Sequence, residues 1–207
     1  MFEIDQYHNL VKYTGESRNV TIPDGVIRID RDAFNILLDS VVLPESLRFI
    51  DTRAFASQER LKEVLIPDSV KWIGDRAFAD CTSLEQVRLP SASDYIGEKC
   101  FQNSGLKELM IPGGSRIIRY GAFGSCPELE TVYVGDGVDC LTDTCLEFCP
   151  KLQKVTIPAS VLWIGHYAFC GSKNVTFYVQ KGSYAERYAA LHDIHCKFIT
   201  PNRGGLL

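Results

Sequence analysis

Apolar and polar residues alternate along this chain in short blocks that recur about every 23 residues. In one block, Val87 and Leu89 are apolar, Arg88 between them is polar, and Pro90 follows. Alternation with a period of two predicts a short strand with one buried face, and proline ends such a strand because it has no N–H to donate. The Val-x-x-Ile-Gly stretch after the proline predicts a second short extended segment in each block.

Prolines mark the repeat most clearly. They step along the chain by 21, 23, 23, 22 and 46 residues, and the last interval is two periods of 23 with Gly135 in the missing place. A set of phenylalanines keeps step with them, and Leu146 stands in for the missing one. Seven such blocks in register indicate a repeat protein. The prolines are Pro23, Pro44, Pro67, Pro90, Pro112 and Pro158, and the phenylalanines are Phe34, Phe55, Phe78, Phe101, Phe123 and Phe169.

Each block fits a leucine-rich repeat. The stretch Leu84-x-x-Val87-x-Leu89 follows the L-x-x-L-x-L core, and the block length lies within the roughly 20–29 residues of that repeat. The longer signature I-P-x-x-V-x-x-I-G-x-x-A-F-x-x-C resembles the bacterial BspA-like family over residues 20 to about 180. The resemblance implies a repeat solenoid: a right-handed superhelix, rich in strands, with short helical turns and low helix content. It also implies a surface-associated protein that engages other proteins.

A solenoid of this kind needs a cap at each end. One block cannot bury its own apolar face, and a stack of blocks must be closed by atypical pieces. We expect an N-terminal cap hairpin over residues 1–19, seven leucine-rich repeats over 20–174, and a strand-helix-strand cap over 175–199. Residues 200–207 are expected to form a flexible tail. Ser183 and Glu186 fit a capping box at the start of the cap helix.

Charge and hydropathy exclude several kinds of partner. The 207 residues carry a formal net charge of −4, from 22 basic and 26 acidic residues, whereas nucleic-acid binding usually requires a basic excess. Apolar stretches are too short to cross a bilayer, so membrane insertion is not expected. The acidic start of the chain does not resemble a secretory signal, so a cytoplasmic location is predicted. The alternative is a secreted or cell-surface location, if a signal has been removed.

The eight cysteines are predicted to be structural thiols. Cys81, Cys126 and Cys149 share one place in the block, and Cys100 and Cys145 share another. At such buried places a free cysteine behaves as a small apolar residue. Cys126 and Cys149 occupy adjacent blocks, so a disulfide between them is the alternative.

Candidate catalytic and metal-binding residues are few. The stretch His192-Asp193-Ile194-His195-Cys196 is the one histidine cluster, and three ligands so close in sequence do not converge as the four ligands of zinc do. The chain contains none of the hydrolase, zinc-protease, P-loop or dinucleotide motifs. We therefore expect no enzyme activity, no metal and no cofactor.

Two outward-facing columns hold the candidate partner-binding residues. One lies just before the core isoleucine of each block, where the BspA-like resemblance implies a small or polar residue, and it holds both tryptophans of the chain. The other lies in the middle of each first strand. Exposed apolar and aromatic stripes mark many protein interfaces. The candidates are Phe49, Trp72, Tyr95, Ile117 and Trp163 in one column, and Val42, Leu65, Arg88, Met110 and Tyr133 in the other.

These columns predict a non-catalytic scaffold that binds another protein through an aromatic or apolar face. A carbohydrate or cell-wall binder is one alternative, because exposed tryptophan and tyrosine rings also stack on sugars. A purely structural or self-associating module is another, because aromatic side chains on neighbouring strands stabilise one another. The residues do not identify the partner, and the fold alone does not decide among these functions.

Overall fold

Each repeat folds into one turn of a solenoid with two short strands. The computed structural model describes residues 1–200. Seven successive turns contain both strands, and an eighth begins with a strand and continues into a helix. The predicted strand-rich solenoid with low helix content is confirmed, since residues 1–200 contain one α-helix, α1 (Tyr184–Leu191), of 8 residues.

The first strands of the turns lie parallel to one another and form the first sheet. Each residue lies opposite the equivalent residue of the next turn, so Glu63 pairs with Gln86 and Leu65 with Arg88. This sheet contains β3 (Asn19–Thr21), β5 (Ser40–Val42), β7 (Glu63–Leu65), β9 (Gln86–Arg88), β11 (Glu108–Ile111), β13 (Thr131–Val134), β15 (Lys154–Ile157), β17 (Thr176–Val179) and β18 (His195–Phe198).

The second strands of the turns form the second sheet, in which neighbouring strands are parallel except in the hairpin at the N terminus. Trp72 pairs with Tyr95 and Ile73 with Ile96. Gly74 lets consecutive turns approach closely, because a Cβ there would lie 2.4 Å from the backbone nitrogen of Thr52 in the preceding turn. This sheet contains β1 (Phe2–Ile4), β2 (Asn9–Tyr13), β4 (Arg28–Ile29), β6 (Phe49–Ile50), β8 (Trp72–Ile73), β10 (Tyr95–Ile96), β12 (Ile117–Ile118), β14 (Cys140–Leu141) and β16 (Trp163–Ile164).

Different structures close the two ends of the stack. At the N terminus β1 pairs with β2 in an antiparallel hairpin, and β2 then pairs with β4 in parallel. At the C terminus α1 connects β17 to β18, and the Ser183 side chain accepts a hydrogen bond from the backbone N–H of Glu186. Residues 201–207, which include most of the predicted flexible tail at 200–207, lie outside the described residues.

The core between the two sheets is a set of apolar columns, of which the phenylalanine column is the most regular. Adjacent rings from Phe34 to Phe123 lie 5.0–5.3 Å apart between centroids and are stacked. This spacing is close to the roughly 4.8 Å between neighbouring strands, so each turn adds one ring to the column. Leu146 ends the stack, and Phe169 packs edge-on against Phe177 instead.

In the second to sixth turns, the remaining part of the turn reverses the chain through two residues with positive φ. In the third turn these are Arg76 (φ 54°) and Asp80 (φ 61°), and equivalent residues recur in the other turns of this group. The left-handed region favours glycine, asparagine and aspartate. Phe148, with φ 50°, is a bulky side chain held in this region.

The hydrogen bonding between strands is interrupted at the boundary between the fourth and fifth turns. In the first sheet β9 does not pair with β11, and in the second sheet β10 does not pair with β12. The first sheet is also interrupted between β5 and β7, but there the second sheet continues from β6 to β8. At the boundary between the fourth and fifth turns, the backbone N–H groups of Lys99, Phe101 and Asn103 still donate to the fifth turn.

Candidate functional site

The outer face of the first sheet carries a column of exposed apolar side chains, which we call the first-sheet column. Side chains alternate along a strand, so the middle residue of β7 points into the core and the residues on either side of it point outward. Four of the five predicted members are apolar, and each is 45–58% exposed. The first-sheet column consists of Val42, Leu65, Arg88, Met110 and Tyr133.

Polar side chains interrupt this column and border it along the first residues of the strands. The exposed Arg88 interrupts the apolar run and forms an ion pair with Asp68, with 3.0 Å between nitrogen and oxygen. The first residue of each strand also points outward and is polar, as in Glu63, Gln86 and Glu108. An apolar centre with a polar rim is the usual composition of a protein interface.

The outer face of the second sheet carries the other predicted column, which we call the second-sheet column. Phe49, Trp72, Ile117 and Trp163 are 42–56% exposed, and Tyr95 is half-buried. The strand register places Phe49 beside Trp72 and Trp72 beside Tyr95. The predicted candidates therefore lie on two different faces of the solenoid, one on each sheet.

Tyr95 is held by contacts within the chain. Its ring stacks on Trp72 with 3.9 Å between centroids, and the guanidinium of Arg119 lies 4.3 Å from the centre of the ring. Its hydroxyl donates to the Asp75 carboxylate at 2.8 Å. Burial, followed by this hydrogen bond, raises the pKa of Tyr95 to about 12. The middle of the second-sheet column thus has a structural role.

Trp163 lies in a different environment from Trp72. Cys140 pairs with it in the register of the second sheet, so no aromatic neighbour precedes it. Its nearest ring is that of Tyr184 in α1, at 6.3 Å and tilted by 38°. The two tryptophans therefore do not belong to one continuous aromatic stack.

The boundary between the fourth and fifth turns opens a cleft on each sheet. On the first sheet, a cleft of about 630 Å³ reaches the core residue Val87, which is half-buried, whereas its counterparts Val64 and Leu109 are fully buried. On the second sheet, a cleft of about 440 Å³ lies between β10 and β12 and is lined by Ile117 and Arg119, among others. Sequence analysis did not predict either cleft.

Two serines line the second-sheet cleft at a place that is apolar in the other turns. Ser93 and Ser115 are 6% and 2% exposed, where the neighbouring turns have Val70 and Val138. Within residues 1–200, neither hydroxyl has a hydrogen-bond partner. These serines were the available signal in the sequence, because they break the I-P-x-x-V pattern in two consecutive turns.

The predicted burial of five cysteines is confirmed. Cys81, Cys100, Cys126, Cys145 and Cys149 are all fully buried free thiols. Burial raises the pKa of Cys81 to about 12 and also raises the pKa of Cys100 and Cys145 above the usual range. Cys81, Cys100 and Cys145 therefore stay protonated and unreactive at neutral pH.

The histidine cluster near the C terminus packs against aromatic rings. His192 stacks on Tyr188 with 4.1 Å between centroids and also contacts His166. Burial, with a smaller contribution from His166, lowers the pKa of His192. In the part of the chain that the structure describes, no three histidine, cysteine, aspartate or glutamate side chains are placed to hold a metal ion. No helix within residues 1–200 is long and apolar enough to cross a membrane.

Comparisons with known proteins identify the repeat as a leucine-rich repeat. The family model described as the BspA type leucine rich repeat region matches in 6 copies, over residues 7–130 and 94–185. No curated protein matches this chain as a sequence relative.

Solved structures share the fold. A leucine-rich repeat protein of T. pallidum is similar at 24% identity and a TM-score of 0.77, over 97% of this chain and 96% of that one. The pneumococcal vaccine antigen PcpA has 16% identity and a TM-score of 0.65, over 96% of this chain and 46% of that one. A Bacteroides ovatus leucine-rich repeat protein has 24% identity and a TM-score of 0.50, over 87% and 60%. This chain spans less than two thirds of the latter two, and these identities show similarity of fold alone.

Proposed function

Because the chain belongs to the BspA-type leucine-rich repeat family, we propose that it is a non-catalytic scaffold that binds another protein. The outer face of the first sheet is the binding face. One observation carries this proposal: Val42, Leu65, Met110 and Tyr133 occupy the same place in their strands and remain 45–58% exposed. Exposed apolar side chains that recur along one face in this way are typical of protein interfaces.

The two sheets differ in what their outer side chains contact. In the second-sheet column, the central Trp72 and Tyr95 pack on each other and on Arg119, which accounts for their presence without a partner. Leu65 and Met110 in the first-sheet column are more exposed than Trp72. This difference supports the first sheet as the binding face and leaves structural stacking as the role of Trp72 and Tyr95.

A paired-variant capture experiment tests this proposal. The full chain, a Leu65→Ser, Met110→Ser variant and a Phe49→Ser, Trp163→Ser variant serve as baits in the same cell extract, and captured proteins are quantified. The second variant is the matched control, because it changes two comparably exposed apolar side chains on the other sheet. Exposed substitutions change stability by about 0.5 kcal/mol or less, so both variants should fold.

We expect one protein that the wild type and the control variant retain and the first-sheet variant loses. A partner lost only by the control would contradict the assignment of the face. If the wild type sediments as a dimer and the first-sheet variant as a monomer, the face serves self-association instead of a different protein. Hydrolytic or transfer activity in the purified chain would contradict the non-catalytic assignment.

The location of the scaffold is a separate part of the proposal. The buried free thiols fit a reducing compartment, which supports the cytoplasm. The similar pneumococcal protein is described as a vaccine antigen, and this favours the cell-surface alternative. Protease treatment of intact cells distinguishes the two, because a cytoplasmic chain is protected and a surface chain is cleaved.

A further inference from the structure

The face of each turn between its second strand and the next first strand has its own ladder of hydrogen bonds. In the third turn, the backbone N–H of Phe78 donates to the carbonyl of Cys100 at 2.8 Å, and that of Asp80 donates to the carbonyl of Gln102 at 2.9 Å. An equivalent pair of bonds links each of the second to sixth turns to the turn that follows it. These two N–H groups therefore point along the solenoid toward the C terminus.

The seventh turn ends this ladder. The carbonyls of Ala168 and Cys170 accept hydrogen bonds from the sixth turn at 2.9 and 2.7 Å. Because the C=O and N–H of a trans peptide point in opposite directions, the N–H groups of Phe169 and Gly171 point away from the sixth turn. Among residues 1–200, neither N–H has a backbone acceptor. This edge of the solenoid thus offers two hydrogen-bond donors.

A short link in the C-terminal cap explains why these donors are not covered. Residues 74–85 connect the second strand of the third turn to the next first strand, whereas only residues 192–194 connect α1 to β18. The short link cannot repeat the missing face of the turn. It leaves Phe169 and Gly171 in the wall of a cavity of about 610 Å³, which we call the C-terminal cavity.

The side chains around the C-terminal cavity add mostly donors. Its wall contains three imidazoles, from His166, His192 and His195, and the ammonium group of Lys173. The one carboxylate among its lining residues is that of Asp193. Backbone N–H groups that converge on a concave surface are a recurring way to bind anions. The cavity therefore favours a ligand that supplies acceptors and negative charge.

A cation and an uncharged peptide fit this wall less well. A cation would meet one carboxylate and several donors, and no three metal-ligating side chains converge within residues 1–200. The carbonyls of an added peptide could accept from the two N–H groups but would leave Lys173 without a counter-charge. An anion satisfies both the N–H groups and the ammonium group.

The two inner imidazoles favour the same kind of ligand. His166 and His192 lie 5.0 Å apart between ring centroids. Burial, followed by the repulsion from His166, lowers the pKa of His192. A negative charge beside the two rings offsets this repulsion, so protonation of the histidines strengthens binding of an anion.

The size of the C-terminal cavity indicates more than a single ion. Small-molecule sites usually have volumes of roughly 300–1,000 Å³, and this cavity lies within that range. One phosphate or carboxylate group fills only part of it. The remaining space accommodates the organic part of a small ligand.

We propose that the C-terminal cavity binds a small organic anion, whose phosphate or carboxylate group accepts hydrogen bonds from the N–H groups of Phe169 and Gly171 and lies beside Lys173. The site lies at the end of the solenoid, away from the first-sheet column. It does not depend on the proposed protein-binding function.

Binding is measured by calorimetry and by amide NMR on the full chain. The probes are glycerol 3-phosphate and citrate as organic anions, inorganic phosphate and sulfate as free ions, and glycerol as the neutral control. Lys173→Gln removes the positive charge from the wall. Asp193→Asn removes the opposing charge and keeps a residue that tolerates the φ of 56° at this place. Lys181→Gln is the matched control, because Lys181 is also exposed but lies outside the cavity.

We expect the wild type to bind at least one organic anion, with shifts in the amide signals of Phe169 and Gly171. Lys173→Gln should bind it about tenfold more weakly, and Lys181→Gln should bind it unchanged. Asp193→Asn should bind it more tightly, which a neutral ligand or a cation would not do. Sulfate should bind more tightly near pH 6 than near pH 8, because the histidines gain protons while sulfate does not titrate.

Two kinds of result would overturn the proposal. The site is wrong if the wild type binds none of the anions, if the Phe169 and Gly171 amides do not respond, or if Lys173→Gln binds as tightly as Lys181→Gln. The ligand class is wrong if inorganic phosphate binds as tightly as glycerol 3-phosphate, which would indicate a site for the free ion, or if glycerol binds equally well.

Discussion

At the scale of single residues, one position in the repeat is occupied by side chains that donate a hydrogen bond, and cysteine is one of the residues found there. The thiols of Cys81, Cys126 and Cys149 each donate to the carbonyl of the phenylalanine 25 or 26 residues earlier, at 3.2–3.5 Å. Ser172 occupies the same place and donates to Leu146 in the same way. The cysteines there link one turn to the one before it, which explains why they recur with the period of the repeat.

The burial of these thiols predicts an order of chemical reactivity. In the folded chain, iodoacetamide should label the exposed Cys170 first, the half-buried Cys140 and Cys196 more slowly, and fully buried thiols such as Cys100 only after unfolding. The raised pKa of Cys100 keeps it protonated even in mildly alkaline buffer. Peptide mass spectrometry over time measures the order, with a denatured sample as the control for intrinsic reactivity. Labelling of Cys100 as fast as Cys170 would contradict the structure.

Phe148 predicts a stabilising substitution. Its φ of 50° places a bulky side chain in the left-handed region, whereas Asn103 occupies the same place in the fourth turn. We expect Phe148→Asn to raise the free energy of unfolding by about 1 kcal/mol, because asparagine tolerates this conformation. Phe148 is 56% exposed, so the burial that is lost offsets part of the gain from the relieved strain. Urea denaturation measures the change, and Phe148→Leu, which keeps the strain, should show no gain.

At the scale of the repeating elements, the phenylalanine column joins the turns through the core. Phe78 stacks on Phe55 below it and on Phe101 above it, each at 5.1 Å between centroids. Leu146 interrupts the column, and the next turn rearranges so that Phe169 meets Phe177 edge-on. The column thus sets how neighbouring turns pack on each other.

Removing one ring from the middle of the phenylalanine column should destabilise the folded chain. We expect Phe78→Ala to lower the free energy of unfolding by about 3–5 kcal/mol, because Phe78 is fully buried and the stack cannot close over the cavity. Phe49→Ala removes the same side chain from a place that is 43% exposed and should lower the free energy of unfolding by only about 1–2 kcal/mol. Thermal and urea unfolding compare the two variants. Equal losses would show that the column is not the main contact between turns.

The C-terminal helix should become less stable in acid. The pKa of His192 is lowered from 6.5 by burial against Tyr188 and by His166, so folding favours the neutral ring. That contribution is complete above about 6.5 and is lost as the pH falls through the lowered pKa in the folded state. The protection factor of the Ile194 amide, which donates to Ala189, should fall in that range after correction for the pH dependence of intrinsic exchange. A His192→Phe variant should remove this pH dependence.

At the scale of the whole molecule, the periodic features were predictable and the exceptions were not. The period predicted the two strands of each turn, the buried columns and the outward places, and the motif predicted the family, which the family match confirms. Apolar periodicity reports which side chains face the core. It does not report whether β10, which contains Tyr95, is hydrogen-bonded to β12, which contains Ile117, because both strands have the expected apolar periodicity.

The candidate faces illustrate the same limit. The sequence identified both outward columns but could not show that Arg119 covers Tyr95. Arg119 lies in the fifth turn at a position that departs from the repeat, so the repeat pattern does not predict its contact with Tyr95 in the fourth turn. The serines at 93 and 115 were visible as departures from the repeat, but the loss of strand pairing beside them was not. Whether the first-sheet column binds a partner stays a prediction.

The weak boundary between the fourth and fifth turns has a mechanical consequence. In a solenoid, a force that pulls the two ends apart passes through every turn in series, since each turn contacts only its neighbours. Extension begins where the fewest hydrogen bonds share the load, and at this boundary both sheets lack their strand pairing. Under tension the solenoid of residues 1–200 should therefore yield first at this boundary, near its middle, and separate into two more rigid segments of similar length.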